Sequence, residues 1–537
     1  RLLIVLATGG GKTLIFSREC YLTVLRGGKV LILAHTDELL EQAIDKLHRT
    51  TGLLAAKEKA GDTASPYASV VVASIQTLSR ENRLRGFPDD HFSLVIVDEA
   101  HRSLAPSYQR VLNYFHFGKE SLDEGWKAPE PGMPYQPKAR VLGVTATPDR
   151  GDKRTLGEFF QKCAFEYGLL EACRDGYLVR PFVKNIPAEQ VKIDLRGIKM
   201  SKISGQSDFD VSELGQRITP FLRVIARHIF EEARDRKTVC FLPSIETARL
   251  LAGALKENGL NANFVSGACP DRELKIADFH AAGQGSVICN AMLLTEGWDC
   301  PDASCIVVLR PTKIRALYTQ CVGRGTRPLP GVIDGLATKE QRLEAIAASA
   351  KPNLMLLDFL WLTDRLDLVK PIDLVASSPE LRKKMEERPE ADLIECEAAA
   401  SRDLLKALEE AAKRNARKKA RVIDPLAWAV SLGDAALAGW EPESKWDELP
   451  PTAGQIEFLQ KQGIDTTNLT CRGLASKILD RVVSRMRLRL CTPKQLSLMA
   501  QLGLDEHTCA LLTVAEATKK IDETIRERKR QRESASA

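Results

Sequence analysis

The apolar run Leu2 to Leu6 leads directly into the loop Ala7-Thr8-Gly9-Gly10-Gly11-Lys12-Thr13. This junction constrains the fold strongly, because glycines let backbone N–H groups approach anionic oxygens and the N-terminus of a following helix favours negative charge. The pattern predicts a strand, a phosphate-binding loop and a helix. We expect Lys12 to meet the β- and γ-phosphates of a nucleotide and Thr13 to hold Mg²⁺. A glycine turn without a ligand is the less favoured alternative.

Four further apolar runs follow this first strand. They are residues 29–34, 69–73, 94–97 and 141–144. Continuous apolar runs separated by helical stretches indicate strands buried on both faces, and therefore a parallel sheet covered by helices. Ligands of such sheets bind at the carboxyl ends of the strands.

Polar residues stand at these strand ends. Asp98 and Glu99 follow the fourth run, where Asp98 could hold Mg²⁺ and Glu99 could polarise an attacking water. Thr145 and Thr147 follow the fifth, in a tight turn that could link the nucleotide site to the neighbouring domain. Each pair alone could be a surface turn. Behind a phosphate loop, we favour the functional interpretation.

A second α/β unit without a phosphate loop of its own begins after a polar connector. Its predicted strands are residues 238–242, 263–265, 287–290 and 305–309, with a helix over 245–257. The fold class is therefore α/β, followed by a charged and helical C-terminal region. The predicted boundaries are 1–180 for the first domain, 181–225 for the connector, 226–365 for the second domain, 366–440 for a charged helical segment and 441–537 for a helical repeat module.

Three motifs together resemble one protein family. They are the loop at residues 7–13, with Leu6 where the generic pattern has glycine; Asp98-Glu99-Ala100-His101; and Gln320-Cys321-Val322-Gly323-Arg324-Gly325-Thr326-Arg327. Residues 1 to 365 thereby resemble the superfamily-two helicases and translocases, in the DEAH-type branch that includes restriction-enzyme motor subunits and phage-borne helicases. The resemblance implies two tandem RecA-like domains that use ATP and Mg²⁺.

The resemblance also implies roles for individual residues. Arg324 and Arg327, with Gln320, would complete the ATP site from the second domain, an effect worth ~10³–10⁵ in rate for arginine fingers. His101 would couple ATP to the second domain, and Gly297 and Asp299 would relay between the ATP ribose and the nucleic acid. The implied nucleic-acid contacts are Ala34, His35, Ser74, Gln76, Thr77 and Thr295.

Two features depart from the family pattern. Family members carry an adenine-recognising segment before the phosphate loop, but here only Arg1 precedes the first strand. We therefore expect residues upstream of this sequence, and adenine specificity is not readable from it. A proline-rich stretch over residues 127–137 interrupts the first domain. We favour a passive exposed loop over a strand-separating element.

Composition adds few constraints. The net charge is +6, with 77 basic against 71 acidic residues, which permits a nucleic-acid partner without requiring one. The 13 cysteines show no zinc spacing, so we expect reduced thiols, no disulfide and no zinc. No apolar run approaches ~18 residues, so we expect no membrane association and a cytoplasmic location.

The last hundred residues contain a repeat. Residues 452–465 align with residues 492–505, and each copy begins with a threonine helix cap and ends at a glycine. The module has no catalytic spacing, so we expect it to bind DNA, which is slightly favoured, or a protein partner. Basic residues at 413–421 could track phosphate or form a solvated helix. The basic tail at 526–532 is expected to be disordered or a frayed helix.

These features together predict an ATP-dependent helicase or translocase that acts on nucleic acid, with DNA favoured over RNA. Two alternatives remain open: a translocase that tracks duplex DNA without unwinding it, and a nucleic-acid-binding clamp that ATP opens and closes.

Overall fold

A computed structural model gives the structure of the chain. It describes residues 1–129, 135–146, 156, 159–186, 193–203, 206–267, 269–291, 298, 300–359, 368–387, 391–415, 428–429, 432, 434, 437, 440, 442, 445–467 and 469–535. The chain divides into two compact units. The first contains most residues up to Val375 together with 390–394, and the second contains most of the remaining C-terminal residues.

A seven-stranded parallel sheet forms the first half of the first unit, here called the first lobe. Its strands are β1 (Leu2–Leu6), β2 (Val30–Ala34), β3 (Ala56–Glu58), β4 (Val70–Ser74), β5 (Leu94–Asp98), β6 (Arg140–Thr145) and β7 (Lys162–Tyr167). Their order across the sheet is β3-β4-β2-β5-β6-β1-β7. The five apolar runs of the sequence are all strands, within about one residue of the predicted ends. β3 and the exposed edge strand β7 lack such a run and were not predicted.

Helices cover this sheet. They are α1 (Lys12–Leu25), α2 (Asp37–Thr51), α3 (Ile75–Leu78), α4 (Glu81–Leu84), α5 (Pro106–Phe117) and α6 (Leu169–Arg174). Phe16 and Cys20 of α1 are fully buried against β2 and β5, which fixes the helix that follows the phosphate loop. The Thr36 hydroxyl caps α2 by accepting from Leu39 N at 3.3 Å.

A second parallel sheet, of six strands, forms the second lobe. Its strands are β8 (Pro181–Ile186), β11 (Thr238–Phe241), β12 (Asn261–Val265), β13 (Ser286–Asn290), β14 (Cys305–Val308) and β15 (Leu354–Phe359), in the order β12-β13-β11-β14-β15-β8. A separate antiparallel hairpin joins β9 (Met200–Ile203) to β10 (Gln206–Phe209). The predicted fold of two tandem RecA-like parallel-sheet domains is confirmed.

The helices of the second lobe are α7 (Val211–Ile218), α8 (Leu222–Ala233), α9 (Ile245–Glu257), α10 (Arg272–Ala281), α11 (Arg315–Gly323) and α12 (Lys339–Ala348). Much of the predicted connector, residues 181–225, belongs to this lobe. β8 pairs with β15, and Leu214 and Ile218 of α7 are buried in its core. The polar composition of this stretch concealed these elements.

The C-terminal unit is helical among its described residues. Its helices are α13 (Pro379–Glu387), α14 (Leu393–Asn415), α15 (Lys445–Glu448), α16 (Ala453–Lys461), α17 (Arg472–Arg487), α18 (Pro493–Gln501), α19 (Glu506–Ala510) and α20 (Val514–Ala535). Trp428 and Leu437 lie in the same hydrophobic core as α16 to α20. The repeat module therefore recruits residues from the segment predicted as 366–440.

The internal repeat is present at the level of single hydrogen bonds. The Thr452 and Thr492 hydroxyls each cap a helix by accepting from the backbone N–H of a glutamine three residues later, and that glutamine's side-chain oxygen accepts from the backbone N–H of the threonine. The Gln455 amide donates to the Ser476 hydroxyl at 2.7 Å, and the Gln495 amide donates to the Thr518 hydroxyl at 2.9 Å. The two copies thus share one fold, as the sequence alignment predicts.

The remaining predictions for this region have mixed outcomes. The basic tail, for which disorder and a frayed helix were the two alternatives, is helical through Ala535. Most of the basic cluster at 413–421, and residues 130–134 of the proline-rich stretch, lie outside the described residues. Among the described helices, none combines the length and apolar character that a membrane span needs.

Candidate nucleotide site between two lobes

The phosphate loop has the backbone that its glycines predict. Gly9 and Gly11 adopt left-handed φ angles of 86° and 90°, which side chains disfavour. Gly10 N donates to Ala7 O at 2.9 Å, which tightens the turn before α1 begins at Lys12. The loop therefore presents backbone amides at the carboxyl edge of the sheet, where ligands of such sheets bind.

Lys12 and Glu99 form an ion pair across this edge. The Lys12 Nζ lies 3.1 Å from Glu99 Oε1, and the two side chains are only 14% and 12% exposed. Glu99 has a left-handed φ of 53°, and its backbone N–H donates to Asp98 Oδ1 at 3.0 Å. The turn after β5 therefore directs Glu99 towards the phosphate loop.

The two adjacent acids have opposite pKa shifts. Burial raises the pKa of Asp98 to about 6, and the neighbouring Glu99 charge acts in the same direction. Burial also acts to raise the pKa of Glu99, but Lys12, His101 and Arg324 outweigh it, so the pKa of Glu99 lies below its ordinary value. Glu99 is thus held as a carboxylate by three cationic or ionisable neighbours.

His101 lies between Glu99 and the end of β6. Its Nδ1 is 3.4 Å from Thr145 Oγ1 and 3.4 Å from Glu99 Oε2. The predicted coupling residues His101 and Thr145 are therefore neighbours of the acidic pair. Thr147, the third predicted coupling residue, lies outside the described residues.

Residues 320–327 of the second lobe, here called the arginine segment, pack directly on the phosphate loop. A methyl group placed on Gly323 would lie 2.5 Å from the Cβ of Thr8, and one placed on Gly9 would lie 3.0 Å from the Cγ of Arg327. Both glycines therefore permit a close approach between lobes. Thr326 O also accepts from Val179 N at 2.7 Å, which attaches the segment to the end of the first lobe.

Arg324 lies within electrostatic reach of the acidic pair, since it is among the groups that lower the pKa of Glu99. Its Nη1 donates to Trp298 O at 2.5 Å. Gln320 is buried, with 7% of its surface exposed. Thr295, Gly297 and Asp299 lie outside the described residues, so their predicted roles stay predictions.

The predicted nucleic-acid residues of the first lobe divide into two groups. The Gln76 amide donates to His35 O at 2.9 Å and accepts from the Ser74 hydroxyl at 2.7 Å. Ala34 and Thr77 are buried, and the Thr77 hydroxyl accepts from Ala60 N at 3.0 Å. Gln76 and His35 are therefore the members that can reach a ligand, while Thr77 holds the neighbouring loop.

One residue of this region was not singled out from the sequence. Trp298 places its Nε1 3.1 Å from His280 Nε2 and its carbonyl against Arg324. It stands inside the predicted relay motif of residues 295–299, where only the glycine and the acid were assigned. The signal in the sequence was a large apolar side chain in an otherwise polar motif, and in the structure the Trp298 residue is 9% exposed.

The geometry matches the family that the motifs indicate. The family described as "Type III restriction enzyme, res subunit" matches residues 1–150, and the family described as "Helicase conserved C-terminal domain" matches residues 221–328. The two matches fall on the two RecA-like lobes, the first with the phosphate loop and the second with the arginine segment, and they agree with the resemblance to superfamily-two helicases.

Three curated relatives are similar to part of this chain. A candidate ATP-dependent helicase, IRC3 of Saccharomyces cerevisiae, is 32% identical over 342 residues, which cover 61% of this chain and 46% of the relative. A candidate mitochondrial ATP-dependent helicase, irc3 of Schizosaccharomyces pombe, is 32% identical over 343 residues, which cover 63% of this chain and 53% of the relative. A 51.5 kDa protein of a Lactococcus phage is 27% identical over 327 residues, which cover 59% of this chain and 61% of the relative. The chain spans about half the length of the two yeast relatives.

Proposed function

We propose that this chain hydrolyses ATP at the junction of its two lobes and uses the cycle to move on DNA. The observation that carries the proposal is the contact of the arginine segment with the phosphate loop, at Gly323 against Thr8 and Arg327 against Gly9. A site shared between two lobes changes when the lobes separate, so hydrolysis can be converted into lobe movement. The names of the two yeast relatives, which describe ATP-dependent helicases, support the same assignment.

The residues of the loop suit a nucleoside triphosphate. Backbone amides around Gly9 and Gly11 and the N-terminus of α1 favour phosphate oxygens. Lys12 now pairs with Glu99. When a γ-phosphate competes for the Lys12 ammonium, Glu99 loses its partner and becomes available to accept a proton from water. The ion pair thereby keeps the base occupied until ATP arrives.

The donor set also suits Mg²⁺. Thr13 supplies a hydroxyl at the first turn of α1, and Asp98 supplies a carboxylate at the end of β5. Both are oxygen donors of the kind that Mg²⁺ prefers, alongside phosphate oxygens. Bound there, the cation would neutralise phosphate charge as it develops.

The hydrolysis step follows from the remaining side chains. Glu99 orients and deprotonates the attacking water. The His101 Nδ1 lies 3.4 Å from both Glu99 and Thr145, so His101 couples the state of Glu99 to the end of β6. Arg324 and Arg327 arrive from the second lobe and stabilise charge on the transferred phosphoryl group. The first lobe therefore binds, and the second completes the reaction.

DNA is the favoured track. His35 and Gln76 lie at the carboxyl ends of β2 and β4, at the same edge as the phosphate loop, and bond to one another. Restriction enzymes act on DNA, and the first lobe matches a restriction-enzyme family. RNA is the competing substrate, and the test below distinguishes it.

The test is steady-state ATP turnover measured alone and with single-stranded DNA, duplex DNA or RNA. A motor on DNA predicts stimulation by DNA above that by RNA. Turnover that no nucleic acid changes would favour the clamp alternative. A strand-displacement assay then separates an unwinding helicase from a translocase that leaves the duplex intact.

A further inference from the structure

Lys351 is a buried lysine whose ammonium faces two backbone carbonyls. It is 1% exposed, and its Nζ lies 2.6 Å from Pro301 O and 2.7 Å from Arg327 O. Lys351 stands in the short link between α12 and β15, outside every motif named above. Its local sequence gives no sign of a special role.

A buried ammonium needs a reason, because removing a charge from water is costly unless strong acceptors replace the solvent. Charge-assisted hydrogen bonds to carbonyls are about twice as strong as neutral ones. The acceptors here are not adjacent in sequence. Pro301 follows the relay motif at residues 295–299, and Arg327 ends the arginine segment. Lys351 therefore joins the residues that follow the relay motif to the end of the arginine segment.

Arg327 is the member of this set that touches the first lobe. Its Cγ and Nε lie 3.0 Å and 3.3 Å from the position of a Cβ on Gly9. A side chain placed this closely depends on its own backbone, and a displacement of ~1 Å at a catalytic group can cost ~10²-fold in rate. Fixing the Arg327 carbonyl fixes the origin of that side chain.

We propose that Lys351 is a positioning residue, which holds the Arg327 peptide so that the guanidinium reaches the phosphate loop when the lobes close. The proposal rests on the proposed ATP hydrolysis. It assigns Lys351 no contact with substrate. Its effect acts through Arg327, so the coupling between the two residues is what distinguishes it from a lysine that only stabilises the fold.

Lys237 provides a matched control in the same lobe. It is also 1% exposed, and its ammonium contacts His280 O at 3.1 Å, Ala282 O at 2.9 Å and Asp302 Oδ2 at 2.5 Å. None of these partners lies within residues 320–327. Lys237→Met therefore removes an equally buried ammonium whose hydrogen bonds to His280, Ala282 and Asp302 do not include the Arg327 carbonyl.

The experiment is a double-mutant cycle on DNA-stimulated ATP turnover. Lys351→Met should lower kcat by about 10- to 100-fold while changing the KM for ATP by less than about threefold. Lys351→Arg, which keeps the charge and the donors, should recover part of the loss. Combined with Arg327→Lys, Lys351→Met should cost much less than the product of the two single effects. When Lys237→Met is combined with Arg327→Lys, the fold-losses in kcat of the two single variants should instead multiply.

The outcomes are separable. If Lys351→Met and Arg327→Lys multiply as independent changes do, Lys351 does not act through Arg327 and the proposal is overturned. A Lys351→Met protein with wild-type kcat would also overturn it. Should Arg327→Lys itself leave turnover unchanged, the failure lies with the proposed two-lobe hydrolysis. Thermal unfolding of each variant identifies any that fail to fold. If Lys351→Met is one of them, Lys351→Arg takes its place in the double-mutant cycle.

Discussion

Gly323 at the end of α11 and Thr8 in the phosphate loop are in contact, so that a Cβ on Gly323 would lie 2.5 Å from the Thr8 Cβ and 3.0 Å from its hydroxyl oxygen. The two residues belong to different lobes and are 315 positions apart in the sequence. Real atoms do not approach this closely, so a side chain on Gly323 must separate the lobes.

Gly323→Ala should therefore impair ATP hydrolysis without unfolding either lobe. We expect kcat to fall by about 10²-fold, because the arginines that follow Gly323 would be held away from the phosphate loop. ATP binding to the first lobe should be nearly unchanged. The control is Gly253→Ala in α9, where a Cβ meets nothing within 4 Å and turnover should stay at the wild-type level. Equal turnover in both variants would show that this close approach is not needed.

Lys12→Ala should abolish turnover and leave the fold intact. The side chain pairs with Glu99 at the surface of the site and is not part of the hydrophobic core. Loss of a preorganised cation at developing charge costs ~10²-fold or more in kcat. Nucleotide affinity and ATP turnover are measured together, with Lys256→Ala as an exposed lysine control. Undiminished turnover in Lys12→Ala would remove the nucleotide site from this loop.

Glu99→Gln should retain nucleotide binding and lose hydrolysis. Glutamine keeps the size of the side chain but cannot take a proton from water, a role worth ~10²–10⁴-fold in rate. Asp98 stays in place to hold the cation. A fluorescent nucleotide titration beside a phosphate-release assay gives both quantities. If binding and hydrolysis vanish together, the roles of Asp98 and Glu99 have been assigned the wrong way round.

Removing the chain after Asn415 should leave a folded two-lobed ATPase. The cut lies at this position because Trp428 is buried in the core of the C-terminal module. The module has exposed basic residues, among them Lys519, Lys520, Arg526 and Arg528. If the module binds DNA through these residues, the truncated protein should need more DNA for half-maximal stimulation of ATP turnover. The log–log salt slope of DNA binding should become shallower by about one for each phosphate that the module no longer neutralises. An unchanged slope would point instead to a protein partner.

Sequence patterns predicted the parts of this structure that rest on local chemistry. The apolar strands, the glycine loop and the Thr452 and Thr492 caps follow from side-chain types at fixed spacing. β8 was not predicted because it forms a strand by pairing with β15, about 170 residues away in the sequence. In this pairing Leu354 lies opposite Pro181. Lys351 gave no signal for the same reason: its importance comes from carbonyls at positions 301 and 327 that only the folded chain brings together.

The Lys12–Glu99 pair likewise combines features that the local sequence predicts with one that depends on the fold. The sequence predicted both residues and their separate roles, from a phosphate loop and from an acid at a strand end. It did not predict that they would bond to each other at 3.1 Å. That distance depends on the strand order, in which β5 and β1 lie on either side of β6.

Arg324→Ala and Arg327→Ala test whether the second lobe completes the ATP site of the first. Nucleotide affinity and DNA-stimulated ATP turnover are measured side by side in both variants. We expect nucleotide affinities within about threefold of wild type and turnover reduced by ~10³-fold or more, as for arginine fingers in general. Wild-type turnover in both variants would contradict this expectation.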